Sequence, residues 1–337
     1  MKRIGRVFDR ITSFENLYTA SGKALRGKKT TPQAAAWWCD LEPEIIRLEE
    51  DLRSGAYRPG PYRTFTIYEP KQRRIAAVEI RDRVVHHAIC HVIEPLLDRR
   101  MIFDSYACRT GKGAHAAVQR AQHYARHFSF ALKCDIRKYF ETIDHAALKR
   151  ILSRKIKDAA LLRLLDIIID HPVPGHAPGT GLPIGALTSQ LFANLYLDKL
   201  DHYLKEDVRV KGYLRYMDDF LLFAASKAQL RQWLQVVRAF TDDRLKLELK
   251  DEASRLAPVS QGVPFLGFRI FPGLIRLDRR HLVRFRRNVR MREQAYANGD
   301  IDEAELSRSV NSLIAHIAHA NTHKMRQSFF THTDTGH

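Results

Sequence analysis

Cysteine is scarce in this 337-residue sequence, with four residues, Cys39, Cys90, Cys108 and Cys134, set far apart. That spacing excludes a CxxC zinc ribbon and a dense disulfide framework, so reduced thiols are expected. Long apolar runs are also lacking. No stretch approaches the roughly 18 residues that a membrane span needs, and the N-terminal MKRIGRVFDR is basic without the apolar core of a signal peptide. No membrane association and a cytoplasmic location are expected. Fixed-period repeats and low-complexity tracts are absent too, so the organisation must come from motifs. Negative charge is in deficit: 38 Asp+Glu stand against 56 Lys+Arg, a formal net charge of +18. With 45% hydrophobic and 9% aromatic residues the chain can bury a large core, which argues against wholesale disorder. An excess of this size in a globular chain points to polyphosphate, because each cation that neutralises a backbone phosphate releases a condensed counterion.

Residues 1 to about 55 read as helical, with Trp37, Trp38, Leu41, Ile45 and Leu48 near helical spacing before the Ser54-Gly55 break; the Trp pair is expected in the core. YRPGPYRTF, the β-prone TFTIY and the basic KQRR suggest a small sheet over residues 56 to 80. Asp82 to Leu97 has a helical pattern, and another helix follows Gly113. In FSFALKCD the period changes: Phe130, Leu132 and Cys134 alternate as in a strand that ends on Asp135. Asp144 is a plausible N-cap for a helix carrying Ala147, Leu148, Ile151 and Ile156, and LLRLLDIII supports a second. The turn-rich HPVPGHAPGTGLPIG then leads to a helix with a buried stripe of Ala193, Leu197, Leu200 and Leu204. YLRYMDDFLLFA has the pattern of a hairpin with Asp218 and Asp219 at its tip.

Two ionised carboxylates in such an apolar run cost several kcal/mol to desolvate unless a cation compensates. A tight turn that merely exposes both acids is the alternative, and a Y-x-D-D match alone arises in roughly 3% of chains this long. Asp135 strengthens the reading because it also ends an apolar strand. Three carboxylates on neighbouring strand ends make an all-oxygen pocket suited to Mg²⁺ or Mn²⁺. This combination suggests two-metal phosphoryl transfer, with ions roughly 4 Å apart.

At this point the sequence resembles the reverse transcriptases. CDIRKYFETIDH resembles their first palm motif, LPIGALTSQLFANLYL the second, YMDD the third, LKLELK the fourth and FLGFRI the fifth, in order over residues 56 to 272. Within that family it is most similar to the enzymes of diversity-generating retroelements, because Ile184-Gly185 and Ser189-Gln190 replace the usual Gln-Gly and Ser-Pro of the second motif. Length agrees with this, since group II intron enzymes carry maturase and often endonuclease segments for which 337 residues leave no room.

The resemblance implies an α+β right-hand polymerase: an N-terminal helical segment over 1–55, fingers over 56–130, a palm with an antiparallel sheet over 131–272 holding inserted fingers helices near 145–180, and a short helical thumb over 273–337. It implies RNA-directed synthesis of DNA from deoxynucleoside triphosphates. Asp135 and Asp218 would hold two Mg²⁺ ions, with Mn²⁺ as a substitute, the Ile136 carbonyl would complete one shell, and Asp219 would support the site electrostatically. Phe140 falls where the family places an aromatic ring that clashes with a ribose 2′-hydroxyl; an ordinary core aromatic is the other reading. Lys71 and Arg74 resemble the fingers residues that grip the triphosphate, although KQRR offers four cations and the sequence does not choose among them. Lys250 resembles the fourth-motif lysine that protonates pyrophosphate, or it is a surface charge. Gly267 fits the loop that holds the primer end, or it is simply a turn. Ile184 offers only shape where a glutamine would hydrogen-bond near the nascent base pair, which predicts error-prone copying; the subgroup likeness adds errors directed to adenines.

The resemblance also implies partners: a template-repeat RNA, its RNA/DNA duplex, and a small basic accessory protein that forms a ring. In RRHLVRFRRNVRMR, Leu282, Phe285 and Val289 give an apolar stripe while Arg280, Arg284 and Arg287 share another face, suited to duplex phosphates or to plain solvation. His316, His319 and His323 mimic a metal site without an acid or Cys to complete it and read better as surface or nucleic-acid histidines. In SYACRTGKG, Arg109 and Lys112 are expected to touch template. Rival readings are a retron or defence-associated reverse transcriptase, an RNA-dependent RNA polymerase, and, from another class, a non-catalytic RNA-binding scaffold.

Overall fold

The structure, a computed structural model, describes residues 3–27, 31–68 and 72–331. In chain order the elements are α1 (Phe8–Thr12), α2 (Phe14–Ala24), α3 (Pro32–Cys39), α4 (Leu41–Ser54), the hairpin β1 (Arg63–Ile67) and β2 (Arg73–Ala77), α5 (Ile80–Asp98), α6 (Ala114–His127), β3 (Phe130–Asp135) and α7 (Tyr139–Thr142). Then come α8 (His145–Lys155), α9 (Ala159–Asp170), α10 (Leu187–His202) continued by a π turn (Tyr203–Asp207), β4 (Gly212–Tyr216), β5 (Asp219–Ala224) and α11 (Lys227–Leu245). The chain ends with β6 (Arg255–Pro258), β7 (Val263–Phe265), β8 (Phe268–Ile270), β9 (Ile275–Leu277), α12 (Arg279–Ala297), α13 (Glu303–Ile317) and α14 (His323–Thr331). This is the expected α+β class, with helices around wholly antiparallel sheets.

The chain packs as two compact units, each built from three segments. The first comprises Met1–Arg109, Ile136–Asp207 and Val236–Leu249; the second comprises Thr110–Asp135, Val208–Gln235 and Lys250–His337. In the first, α5 buries Val85, Ala88, Ile89, Val92 and Ile93 on the predicted face and packs against α2 and α10. The predicted stripe of α10 is buried, but so is nearly the whole helix, from Thr188 to Asp201, as expected of a helix at the centre of a core. The Trp pair is divided. Trp37 is buried, its Nε1–H donating to Ser21 Oγ at 3.3 Å, whereas Trp38 is exposed. The reason is helix geometry: both rings belong to α3, where consecutive side chains point about 100° apart, so the face that buries Trp37 turns Trp38 outward. Asp144 does cap α8, accepting from Ala147 N at 2.7 Å, and Asp158 caps α9 in the same way.

In the second unit a four-stranded sheet runs β4-β5-β3-β6 and a three-stranded sheet runs β7-β8-β9. Behind the latter, Phe285 and Val289 of α12 and Ile317 of α13 form a small core, so the stripe expected for α12 is its buried face. Gly267 lies with Leu266 in the two-residue turn between β7 and β8, both at positive φ, and a Cβ on Gly267 would come within 2.7 Å of the His281 ring. None of the four cysteines is in a disulfide.

Candidate active site

The acid-bearing end of the second unit follows from strand periodicity. Leu132 and Cys134 are buried in β3, which carries the chain to Asp135. On the neighbouring hairpin, β4 and β5 pair from Gly212↔Phe223 to Tyr216↔Asp219, leaving Met217 and Asp218 as the turn. Met217 holds φ +58°, a conformation that non-glycine residues rarely adopt. Its carbonyl accepts from the guanidinium of Arg215 at 3.0 Å, and that arginine is fully buried. Because β3 pairs β5 with Asp135 directly opposite Asp219, the register sets the three predicted acids side by side on adjacent strand ends.

The electrostatics of this spot are unbalanced. Lys133 lies two residues before Asp135, on the same face of β3, and its Nζ is 2.8 Å from Asp219 Oδ2. Asp219 Oδ1 is buried with no hydrogen-bond partner among the described residues. Burial pushes the Asp219 carboxyl up to about 7; Lys133 opposes the rise, and the charges of Asp135 and Asp218 add to it. The protein therefore pays an unmet anionic cost here. Among the described residues no three His, Cys, Asp or Glu side chains are already grouped as ligands; one Asp219 oxygen is held by Lys133 instead. Carboxylates with an orphaned buried oxygen and a carboxyl driven toward neutrality nonetheless fit a hard divalent cation, which would relieve both penalties.

The other predicted residues fall as follows. Lys250 is the last residue of the fourth motif, and its N–H donates to the Asp135 carbonyl at 2.8 Å, placing its backbone beside the acids in the second unit. The remaining positions belong to the first unit. Ile136 is buried and bridges Leu249. Phe140 is half-buried, and its carbonyl accepts from Leu182 N at 2.7 Å. Ile184 is half-buried, with its carbonyl accepting from Ala76 N of β2 at 2.9 Å. Gly185 follows at φ +123°, where a Cβ would approach the Ala76 carbonyl to 3.3 Å, so close passage along β2 selects glycine. Arg74, exposed on β2, has a guanidinium nitrogen 2.6 Å from where a Cβ of Gly175 would stand. Thus the loop of residues 171–186 meets β2 at two points, Gly175 beside Arg74 and Ile184 beside Ala76, within one unit. Gln190 is half-buried on α10, and Lys71 lies outside the described residues.

Two residues were not anticipated. Lys133 was legible in principle, since period 2 puts it on the face of Asp135. The fully buried Arg215 inside YLRYMDD is a second signal, because an arginine in an apolar strand must have a structural purpose. One expectation is corrected: Arg109 is unsuited to contact template. Its side chain is only 8% exposed, and its guanidinium donates to Asp98 Oδ1 at 2.5 Å and to the carbonyls of Ile102 and Ser105 at 2.7 and 2.8 Å, clamping its own loop. The histidines also serve packing in part: His115 of α6 stacks on His319 at 3.4 Å, with His316 5.5 Å away.

Comparison with known families decides the membership. Residues 68–270 match the model of the reverse transcriptases (RNA-dependent DNA polymerases), which is more than half of the chain. The chain belongs to the reverse transcriptase family. This reverse transcriptase is 28% identical over 275 residues to protein YkfC of Escherichia coli (strain K12), covering 68% of this chain and 72% of that protein. It is 22% identical over 327 residues to the group II intron-encoded protein LtrA of Lactococcus lactis subsp. cremoris, covering 77% of this chain but only 54% of LtrA, so it spans about half the length of that relative. Among solved structures, apo telomerase from Candida tropicalis, truncated from its C-terminal domain, aligns at a TM-score of 0.49 with 12% identity, covering 68% of this chain and 59% of that one. No helix among the described residues is long and apolar enough to cross a membrane.

Proposed function

We propose that this reverse transcriptase copies a template-repeat RNA into adenine-mutagenised cDNA for a diversity-generating retroelement, in the cytoplasm of a bacterial cell or phage-infected host, with a small basic ring-forming accessory protein as partner. The observation that carries the polymerase half is the register that sets Asp135 opposite Asp219 with Asp218 in the adjoining turn. The subgroup half rests on Ile184-Gly185 and Ser189-Gln190 in the second motif. On this reading the domains would be a helical segment over 1–55, fingers over 56–130, a palm over 131–272 with inserted fingers helices near 145–180, and a thumb over 273–337.

Asp135, Asp218 and the Ile136 carbonyl would hold the divalent ions, and Asp219 would support them. When bound, Mg²⁺ or Mn²⁺ lowers the pKa of the primer 3′-hydroxyl and neutralises charge on the α-phosphate and the departing pyrophosphate. Lys133 keeps part of the acid charge compensated before ions arrive. Arg215 holds the Met217 carbonyl and with it the strained turn that presents Asp218. Lys71 and Arg74 would bind the triphosphate, Phe140 would exclude a ribose 2′-hydroxyl, and Lys250, tied by its backbone to Asp135, would give a proton to pyrophosphate.

The Ile184 side chain can neither donate nor accept a hydrogen bond near the nascent pair, so selection there would rest on shape. To test this, a defined RNA is copied by wild type and Ile184→Gln and the products are sequenced. A several-fold drop in misincorporation opposite adenine supports the reading; identical spectra remove Ile184 from it. Similarity to LtrA over most of the chain favours the second reading, an intron- or retron-type enzyme, and errors spread evenly over all four template bases would support that instead.

A further inference from the structure

Within the first unit, α8, α10 and the part of α11 from Val236 onward, none carrying a residue proposed above for the acid site, line a cleft of about 820 Å³. Arg150 and Arg154 of α8, Lys199 of α10 and Arg244 of α11 line it, together with Tyr203 and Phe240. The two rings are stacked, with centroids 4.4 Å apart and planes at 15°. Two acids, Asp207 and Asp243, also line the cleft, so its cations outnumber its anions by four to two.

Among the described residues none of the four cations is ion-paired, and neither acid is. This is a local choice, because the neighbouring Lys155 on α8 is held by Asp198 at 2.8 Å and Lys149 by Asp170 at 2.5 Å. Arg150 and Arg154 are four residues apart on one helix face, an arrangement that weakens a helix by a few tenths of a kcal/mol. Burial, then the charges of Lys155 and Arg154, draw the Lys199 ammonium below its ordinary range, with Asp198 opposing the fall. Uncompensated cations in a concave, aromatic-walled site call for an anionic ligand.

We infer that this cleft binds the phosphodiester backbone of a single-stranded RNA segment, with a base against the Tyr203–Phe240 wall. The cations are spread over three helices instead of converging on a single phosphate nest, which suits successive phosphates on one strand, and an aromatic wall suits unpaired bases of any sequence. The site stands apart from the polymerase reading and does not depend on it.

The test uses the full chain and a fluorescein-labelled single-stranded oligoribonucleotide, with affinity followed by anisotropy across a KCl series, alongside cross-linking of a 4-thiouridine version. Removing three phosphate contacts with Arg150→Gln/Arg154→Gln/Arg244→Gln should make the slope of log affinity against log salt shallower by about 2. The triple Lys variant should keep the slope, and the cross-link should map to the peptide carrying Tyr203 or Phe240. Primer extension on a short template–primer should be unchanged in the triple Gln variant, so failure here is separable from failure of the polymerase assignment. An unaltered salt slope in a folded triple Gln variant overturns the inference. So does a wild-type cross-link confined to other peptides, a result that holds even if the variant does not fold. Inorganic tripolyphosphate binding that depends on these arginines, without any RNA cross-link at the cleft, would assign the site to a free polyphosphate and overturn the RNA assignment.

Discussion

The acid end of the β3–β5 sheet and the α8–α10–α11 cleft are opposite electrostatic problems. At the sheet, three carboxylates crowd one strand end, Lys133 pairs with Asp219, and an orphaned Asp219 oxygen and a carboxyl pushed up to about 7 remain. In the cleft, four cations face two acids without forming an ion pair among the described residues. Elsewhere in the first unit charges are matched with care, as in Lys155–Asp198–His202–Glu206. Where a fold neutralises most of its interior charge, the places it leaves unbalanced are where a ligand of the missing sign is expected.

This contrast can be broken by substitution. The largest effect is expected at the sheet: Asp218→Ala should reduce RNA-templated primer extension by about 1,000-fold or more while leaving the circular dichroism spectrum intact, since the residue sits in a turn. Lys133→Met should follow, lowering stability by roughly 2 kcal/mol in urea denaturation, because it strips a largely buried carboxylate of its partner. Combining it with Asp219→Leu should recover part of that loss, which a purely steric role for Lys133 would not allow.

A smaller effect belongs to the matched network. The Asp198 carboxylate 3.3 Å away, outweighing burial, raises the His202 imidazole to about 9, with Glu206 assisting. A raised folded value means that this stabilisation is complete below the unfolded value near 6.5 and fades as pH rises through 9. Thermal melts of wild type should therefore fall between pH 7 and 9.5 by more than those of His202→Gln; parallel curves would show that the network carries no linkage. The smallest effect is expected in the cleft, where Arg154→Gln should leave stability unchanged or raise it by a few tenths of a kcal/mol in the same urea assay. A loss as large as that of Lys133→Met would mean that Arg154 holds the fold, and the contrast would fail.

The two sites were unequally visible in the sequence. Alternation in Phe130, Leu132 and Cys134 located the strand that ends at Asp135, and the apolar run around Asp218 and Asp219 located the hairpin, because each signal is contained within about ten consecutive residues. Lys133 was hidden because a lysine in a half-buried strand looks like an ordinary solvent-facing position. The cleft was invisible for a different reason: Arg150, Lys199, Tyr203 and Arg244 come from segments dozens of residues apart, and only packing brings their helix faces together. Trp38 and Arg109 show the same limit. Consecutive positions on a helix point about 100° apart, so two adjacent tryptophans do not share a buried face, and a basic loop looks available for nucleic acid although its arginine clamps Asp98, Ile102 and Ser105.

The central claim, that the acids on these strand ends assemble to receive divalent ions, is tested most directly by Mn²⁺ binding to the full chain, followed by electron paramagnetic resonance. Wild type should take up Mn²⁺, Asp135→Asn/Asp218→Asn should lose that uptake, and Mg²⁺ should compete for it. Binding retained unchanged in the folded double variant would contradict the account.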